Sequence, residues 1–505
     1  MRRSASQLQA GIFLSYLNIA AQALVSLIYT PFMLRILGQG EYGLYELSYA
    51  FISYLNLLSF GFNSAYLRFY ARLRAVEGEQ AAASLNGMFL TVFACLAGLC
   101  AVLGAILTAN AGSLLGARLT GAELGRVRRL MALMVLNLCF TFLSSVLECF
   151  LTAHERYAFQ RGLVVLYTLL QPCLSLPLLL LGLQSVSLAA AAAFLSALRL
   201  VAEAVYCARR LHLPVSFHGM RFSLLREIAG FSFFIFLNML VDQLGWAMDK
   251  FILGLVCGPE EVAVYAVACN VSTLYLMLST SLSSVFAPRV NIMAALEQNS
   301  RLFDLFTRVG RLQCLVLGLF LSAFLLFGRP FLTLWAGPEY GGSYPTALLL
   351  MGASTVPLIQ DIGAEILRAE NRHRFRAVML LICAAGNACL TVPLSARFGA
   401  QGAAFATLIA ALVGNVGILN WYYRARLGFP MRRYWKSLAS LLAPMLASLV
   451  LGASLAALFP VDGLVQLLAA GAIYAVIYAA LVYAIGMNED EKRLVHTLVR
   501  PFLKR

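Results

Sequence analysis

The chain has 505 residues, of which 61% are apolar and only 12% charged, and its mean hydropathy is +0.81. Soluble domains carry about a quarter charged residues, so this composition excludes an ordinary water-soluble protein and points to segments solvated by lipid. The net charge of +15 is spread between apolar runs, where anionic headgroups account for it, and no nucleic-acid partner is expected.

About 20 apolar residues cross the roughly 30 Å of hydrocarbon in a bilayer. By that measure the sequence predicts an all-α polytopic membrane protein with about fourteen spans, near 11–34, 44–66, 84–108, 130–152, 160–183, 186–207, 228–248, 261–287, 311–335, 345–367, 376–396, 400–422, 435–459 and 463–485. With the N-terminus inside, 29 of the 38 Lys and Arg fall in inner segments and eight outside. That bias predicts cytoplasmic N- and C-termini; the four arginines of 109–129 are the exception.

Span 1 carries a polar stripe, Asn18, Gln22, Ser26 and Thr30, before Pro31, which would supply a hinge. Asn56 and Asn63 continue the theme in span 2, which ends at Arg68. Such groups either face a polar cargo or hold helices together. Glu148 lies in span 4. In span 6, Arg199 and Glu203 are four residues apart and able to pair. Span 7 places Asn238 and Asp242 one turn apart, with Gln243 beside them, and Asp249 and Lys250 near its outer end, where they are expected to be solvated. Asp242 has two readings: a cavity carboxylate that binds a proton, Na⁺ or hydroxyl groups, or a hydrogen bond inside a lobe. Span 8 ends at Arg289. In span 10, Asp361, Glu365 and Arg368 share one face and suit gate or packing ion pairs.

One stretch occurs twice, as LRILGQGEYGLYELSYA at 34–50 and FILGLVCGPEEVAVYAVA at 251–268. A shift of 220 puts Gly38 on Gly258, Glu41 on Glu261 and Tyr45 on Tyr265. Gly182 falls on Gly399, Phe159 on Phe375 and Arg68 on Arg289 at shifts of 216 to 221. A six-span unit repeated in the same orientation implies two pseudo-symmetric six-helix lobes around a central cavity, with two extra C-terminal helices. The expected divisions are 1–210, 211–427, 428–486 for the appended pair, and a basic cytoplasmic tail at 487–505. Both hairpins would then lie outside as halves of an outer gate.

PFMLRILGQGEYGLYELSYAFISYLNLLSFGFNSAYLRFYA, DKFILGLVCGPEEVAVYAVA and FGAQGAAFATLIA together resemble the polysaccharide (O-antigen type) flippases of the multidrug/oligosaccharidyl-lipid/polysaccharide exporter superfamily. The resemblance implies alternating access and passage of an undecaprenyl-diphosphate-linked oligosaccharide across a bacterial cytoplasmic membrane. The partners it implies are membrane lipids, a polysaccharide polymerase and glycosyltransferases. Relatives move lipid II or small drugs, so a lipid II flippase and an ion-coupled multidrug or metabolite antiporter are the alternatives, with a membrane polymerase or ligase more remote.

Such a cargo needs cations for its diphosphate and amides and aromatics for its sugars. Arg68, Arg289 and Arg199 are the candidates for the diphosphate; Arg68 and Arg289 also read as ordinary interfacial anchors, and Arg199 as half of an ion pair. Asn18, Gln22, Asn56, Asn63, Asn238, Asp242 and Gln243 are the candidates for cavity contacts or ion coupling. Glu148, Glu203, Asp361, Glu365 and Arg368 are the candidates for gates. The eleven cysteines contain no CxxC pair and read as small hydrophobes. Gly38, Gly40 and Gly43 spell GxGxxG without a preceding strand, so no dinucleotide is expected. No metal spacing and no nucleotide-binding loop occur, so the expectation is a non-enzyme without a cofactor, driven by Na⁺, H⁺ or the membrane potential.

Overall fold

A computed structural model of the chain describes residues 2–116, 119–218, 222–296, 298–370, 372–458, 463–489, 491–493 and 496. Among these residues the backbone forms seventeen α-helices and no strand. They are α1 (Arg2–Leu24), α2 (Thr30–Ser53), α3 (Phe62–Val76), α4 (Glu79–Ala109), α5 (Ala111–Leu115), α6 (Gly121–Ala153), α7 (Tyr157–Leu178), α8 (Val186–Tyr206), α9 (Phe222–Val256), α10 (Pro259–Ala295), α11 (Asn299–Trp335), α12 (Ser343–Ile359), α13 (Asp361–Ala369), α14 (His373–Ala411), α15 (Leu419–Arg426), α16 (Met431–Leu458) and α17 (Leu464–Leu481). In hydrocarbon each backbone amide must be satisfied within its own segment, and helices do this.

Local chemistry sets the ends. Thr120 accepts from the Glu123 amide while the Glu123 carboxylate accepts from the Thr120 amide at 2.8 Å, a reciprocal cap that starts α6. Pro31 does not break span 1. A wide helical turn at Val25–Tyr29 precedes it and carries α1 into α2. A proline removes one amide donor, and a wider turn lets the remaining bonds close around the gap.

Eleven runs are long and apolar enough to cross a membrane, or twelve with the bent pair α12–α13, against the fourteen expected. The difference lies in two runs, Phe13–Val76 and Phe375–Arg426, of 64 and 52 residues. Each exceeds one crossing and each contains a glycine with non-helical backbone, Gly38 (φ 71°) and Gly399 (φ 57°). Two helices meet at each of these kinks, so each run is long enough for two of the expected spans.

The duplication is written into the backbone. Gly38 and Gly258 (φ 105°), and Gly182 (φ 86°) and Gly399, all occupy the left-handed region where a Cβ is strained. Phe159 stacks on Tyr206 at 3.9 Å and 13°, and 216 residues later Phe375 stacks on Tyr422 at 3.9 Å and 9°. The Arg156 amide bonds to the Leu151 carbonyl and the Arg372 amide to the Leu367 carbonyl, again 216 apart.

Contacts divide the chain into two compact units, 1–263 and 264–505. In the first, α6 packs against α4 and α8, α1 against α7, and α9 against α2 and α3. Compactness and repeat therefore divide the chain differently. The expected boundary at 210/211 precedes α9, yet α9 joins the first unit because its length lies along α2 and α3. In the second unit α12 packs on α14, and the appended α16 and α17 pack on α11 through Leu315, Phe327, Leu441, Tyr474 and Tyr478. Arg311 of α11, one of the Lys and Arg counted in the inner segments, is only 3% exposed. It meets Glu491 at 2.7 and 3.0 Å, Ser440 at 3.0 Å and the Gly486 carbonyl at 2.9 Å, and also bonds Ser437.

Candidate transport site

The α2–α3 segment and α9 run antiparallel and form one seam. At one end, a Cβ on Gly43 would overlap the Pro259 carbonyl and a Cβ on Gly254 would overlap Leu47, so glycine lets the backbones approach. Gln39 donates to the Glu260 carbonyl at 3.2 Å. Lys250 meets Glu46 at 2.7 Å, with side-chain exposures of 16% and 13%. Expected as solvated, Lys250 is mostly covered and Asp249 is buried, because α9 continues to Val256 and lays this turn against α2. Phe51 then packs on Phe251 at 4.6 Å, and Gln243 donates to Ser53 at 2.6 Å.

Midway the seam is irregular. A tight turn at Tyr54–Ser59 leads into Phe60 (φ 51°) and Gly61 (φ 69°), both left-handed. That conformation is rare for a bulky side chain and marks a place the surrounding structure enforces. Phe60 stacks on Phe236 at 4.4 Å, and Gly61 abuts Ile235. This break was not anticipated, since the apolar run reads as continuous; the signal was Gly61 inside the SFGFNS stretch. At the other end the Arg68 guanidinium lies 4.8 Å over the Phe231 ring and Arg72 donates to Glu227 at 2.9 Å. A polar cavity of about 590 Å³ opens here, lined by Arg72, Gln80, Ser84, Ser216, His218 and Glu227.

Other predicted residues fall elsewhere. Asn18 accepts from Thr168 at 2.9 Å and so ties α1 to α7, as Tyr29 does with Ser175 at 2.6 Å. Gln22 and Asn56 are exposed, and the Asn63 side-chain oxygen is buried without a hydrogen-bond partner. The side chains of Asn238 and Asp242 lie outside the described residues. Arg68 and Arg289 are both exposed.

Arg199 pairs with Glu203 at 3.0 Å as its spacing suggested, and also with Glu148 of α6, 51 residues away, which no spacing rule reveals. Its guanidinium is thus held by two carboxylates. Glu365 pairs with Arg368, and Asp361 opens α13 after a 44° bend from α12. Of the hairpin residues, Glu41 accepts from Ser185 at 2.6 Å and meets Arg126 at 2.8 Å, fastening α2 to α6 and to the turn before α8. Tyr45 and Glu261 are partly buried and Tyr265 is buried. Within the first unit, Gln39, Gly43 and Leu47 of the first hairpin lie against the second.

Among the described residues no three His, Cys, Asp or Glu gather in an arrangement that would hold a metal ion.

Residues 8–294 match the family described as "Polysaccharide biosynthesis protein". The chain is 25% identical over 263 residues to the uncharacterized membrane protein EpsK of Bacillus subtilis, covering 50% of this chain and 52% of that one. It is 26% identical over 174 residues to the probable flippase AglR of Haloferax volcanii, covering 34% and 36%. The matches thus span about half and about a third of those relatives. In fold it is similar to the lipid II flippase MurJ in an inward closed conformation, with TM-score 0.74, 13% identity, and coverage of 97% of this chain and 100% of that one. It is also similar to an inward-facing multidrug resistance MATE family transporter of the MOP superfamily, with TM-score 0.63, 14% identity, and coverage of 82% and 98%. The fold is accordingly the all-α, two-lobe architecture of that superfamily. With more than half of its length matched, the chain belongs to the polysaccharide biosynthesis protein family.

Proposed function

We propose that this protein is a flippase that moves an undecaprenyl-diphosphate-linked oligosaccharide across the bacterial cytoplasmic membrane. The observation that carries this reading is the α2–α3/α9 seam. In repeat terms it joins the second span of one lobe (1–210) to the first span of the next (211–427). It is fastened by Glu46–Lys250 at one end and Arg72–Glu227 at the other. Two fastenings separated by an irregular, aromatic middle suit a path that opens at one end at a time, which is alternating access. Charge placement supports a cytoplasmic position for the Arg72 end and for both termini. Arg68 and its repeat mate Arg289 are the cations proposed to receive the diphosphate, and the hydroxyl, amide and imidazole groups of the cavity beside Arg72 suit sugar hydroxyls.

Transport, not catalysis, follows from the family and the fold. The probable flippase and the lipid II flippase among the similar proteins support a lipid-linked cargo, and coupling to Na⁺ or H⁺ belongs to the same proposal. Glycosyltransferases that build the cargo and a polymerase that consumes it are the partners this role requires. Depletion in the native cell tests the reading: a lipid-linked oligosaccharide should accumulate on the cytoplasmic leaflet. Accumulation of lipid II instead would move the cargo to that alternative, and accumulation of neither would refute a lipid-linked cargo.

A further inference from the structure

Two carboxylates share one cation inside the first unit. Arg199 bonds Glu148 through Nη2 and Glu203 through Nε, leaving the trio with one surplus negative charge. Glu203 has no exposed surface, and its Oε2 has no hydrogen-bond partner. An ionised carboxylate buried away from water is costly, and a proton on Oε2 removes the surplus charge, with the Ser144 hydroxyl of α6 as the neighbouring polar group.

We propose that Glu203 is a proton-binding site, with Oε2 as the atom that takes the proton and Arg199 held by Oε1 throughout. No other bond changes, and the trio passes from one net negative charge to none. The groups facing it are few. From α6 come Glu148, Ser144 and Cys149; from α8 come Arg199 and Cys207; from α3 comes Tyr66, beside Cys149 and Cys207. From α7 the neighbouring contact is the uncharged Phe159 ring on Tyr206. Arg199 is the cation among the described residues that acts on Glu203. Glu148 keeps 30% side-chain exposure, so exchange reaches the buried partner from that side.

The duplication argues that the trio is not a requirement of the fold. At shifts of 216 and 217, Glu148 falls on Glu365, but Arg199 falls on Asn415 and Glu203 on Leu419. The second repeat builds the same helices without the buried acid and its arginine. A site kept in one repeat alone gives the two lobes different responses to protons; the coupling of this site to transport, though not its existence, rests on the flippase reading.

Infrared difference spectra of the full-length protein in proteoliposomes, between about pH 5 and about pH 8, test the site. A protonated-carboxyl band should appear on acidification, be lost in Glu203→Gln and persist in Glu148→Gln. No titrating band in the unmodified protein, or the same band in Glu203→Gln, overturns the assignment without needing a transport assay. Lipid-linked saccharide transport is then measured on the same vesicles. A band without transport keeps the proton site and removes the coupling, whereas transport without the band removes the site together with its coupling and leaves the flippase reading standing.

Discussion

Breaking the Glu46–Lys250 pair should unlatch one end of the seam. A fully exposed ion pair is worth about 0–1 kcal/mol, and removing one partner of a buried pair costs about 3–5. At 2.7 Å, with exposures of 16% and 13%, this pair lies between those limits, at about 2 kcal/mol. That energy corresponds to a roughly 30-fold change in the balance of closed and open states. The variants are Lys250→Met, Glu46→Gln and the double substitution, each carrying Ser53→Cys as reporter, with the exposed Cys95, Cys173 and Cys389 replaced. Ser53 is partly buried beneath the pair, bonded to Gln243. Labelling of its replacement by a membrane-impermeant maleimide should accelerate roughly 30-fold in either single variant and little further in the double. Additive effects of the two substitutions, or labelling no faster than in the parent, would refute the latch.

Arg72→Ala, which removes a partner from a pair 61% and 52% exposed, should change the same labelling by no more than about fivefold, and its effect should fade with added salt. Arg311→Ala should destabilise the second unit by about 3–5 kcal/mol by leaving Glu491 buried without its cation, read as a lowered unfolding midpoint in detergent; an unchanged midpoint would show that the pair carries no stability. Gly43→Ala should force α2 away from the Pro259 carbonyl and raise reporter labelling, whereas Gly40→Ala, with open space around it, should not. Arg68→Ala with Arg289→Ala should weaken capture of a diphosphate-bearing lipid more than discrimination between sugars, and normal transport by the folded double variant would remove both from the path.

What was legible in the sequence is what repeats or recurs locally. Gly38, Gly182, Gly258 and Gly399 could be aligned from their spacing, and all four proved to have a positive φ. The Arg199–Glu203 pair followed from helical periodicity. What stayed hidden depends on residues far apart in the chain. Nothing near Lys250 announces Glu46, 204 residues away, and nothing near Arg311 announces Glu491, 180 residues away. Lys250 read as solvated and Arg311 only as one of the inner-segment charges, because composition reports charge but not enclosure. The stripe of span 1 shows the converse: Asn18 was visible, but only its contact with Thr168 shows that it ties two helices together.

Reconstitution tests the central claim most directly. A labelled polyprenyl-diphosphate oligosaccharide is placed in one leaflet of proteoliposomes, and its appearance in the other is followed with a membrane-impermeant sugar-modifying reagent. The comparison is between the parent and a Ser53→Cys, Gln243→Cys pair oxidised across the seam. The account predicts protein-dependent movement that stops on oxidation and returns on reduction. Movement that continues with the seam locked, or none with the folded parent, would contradict it.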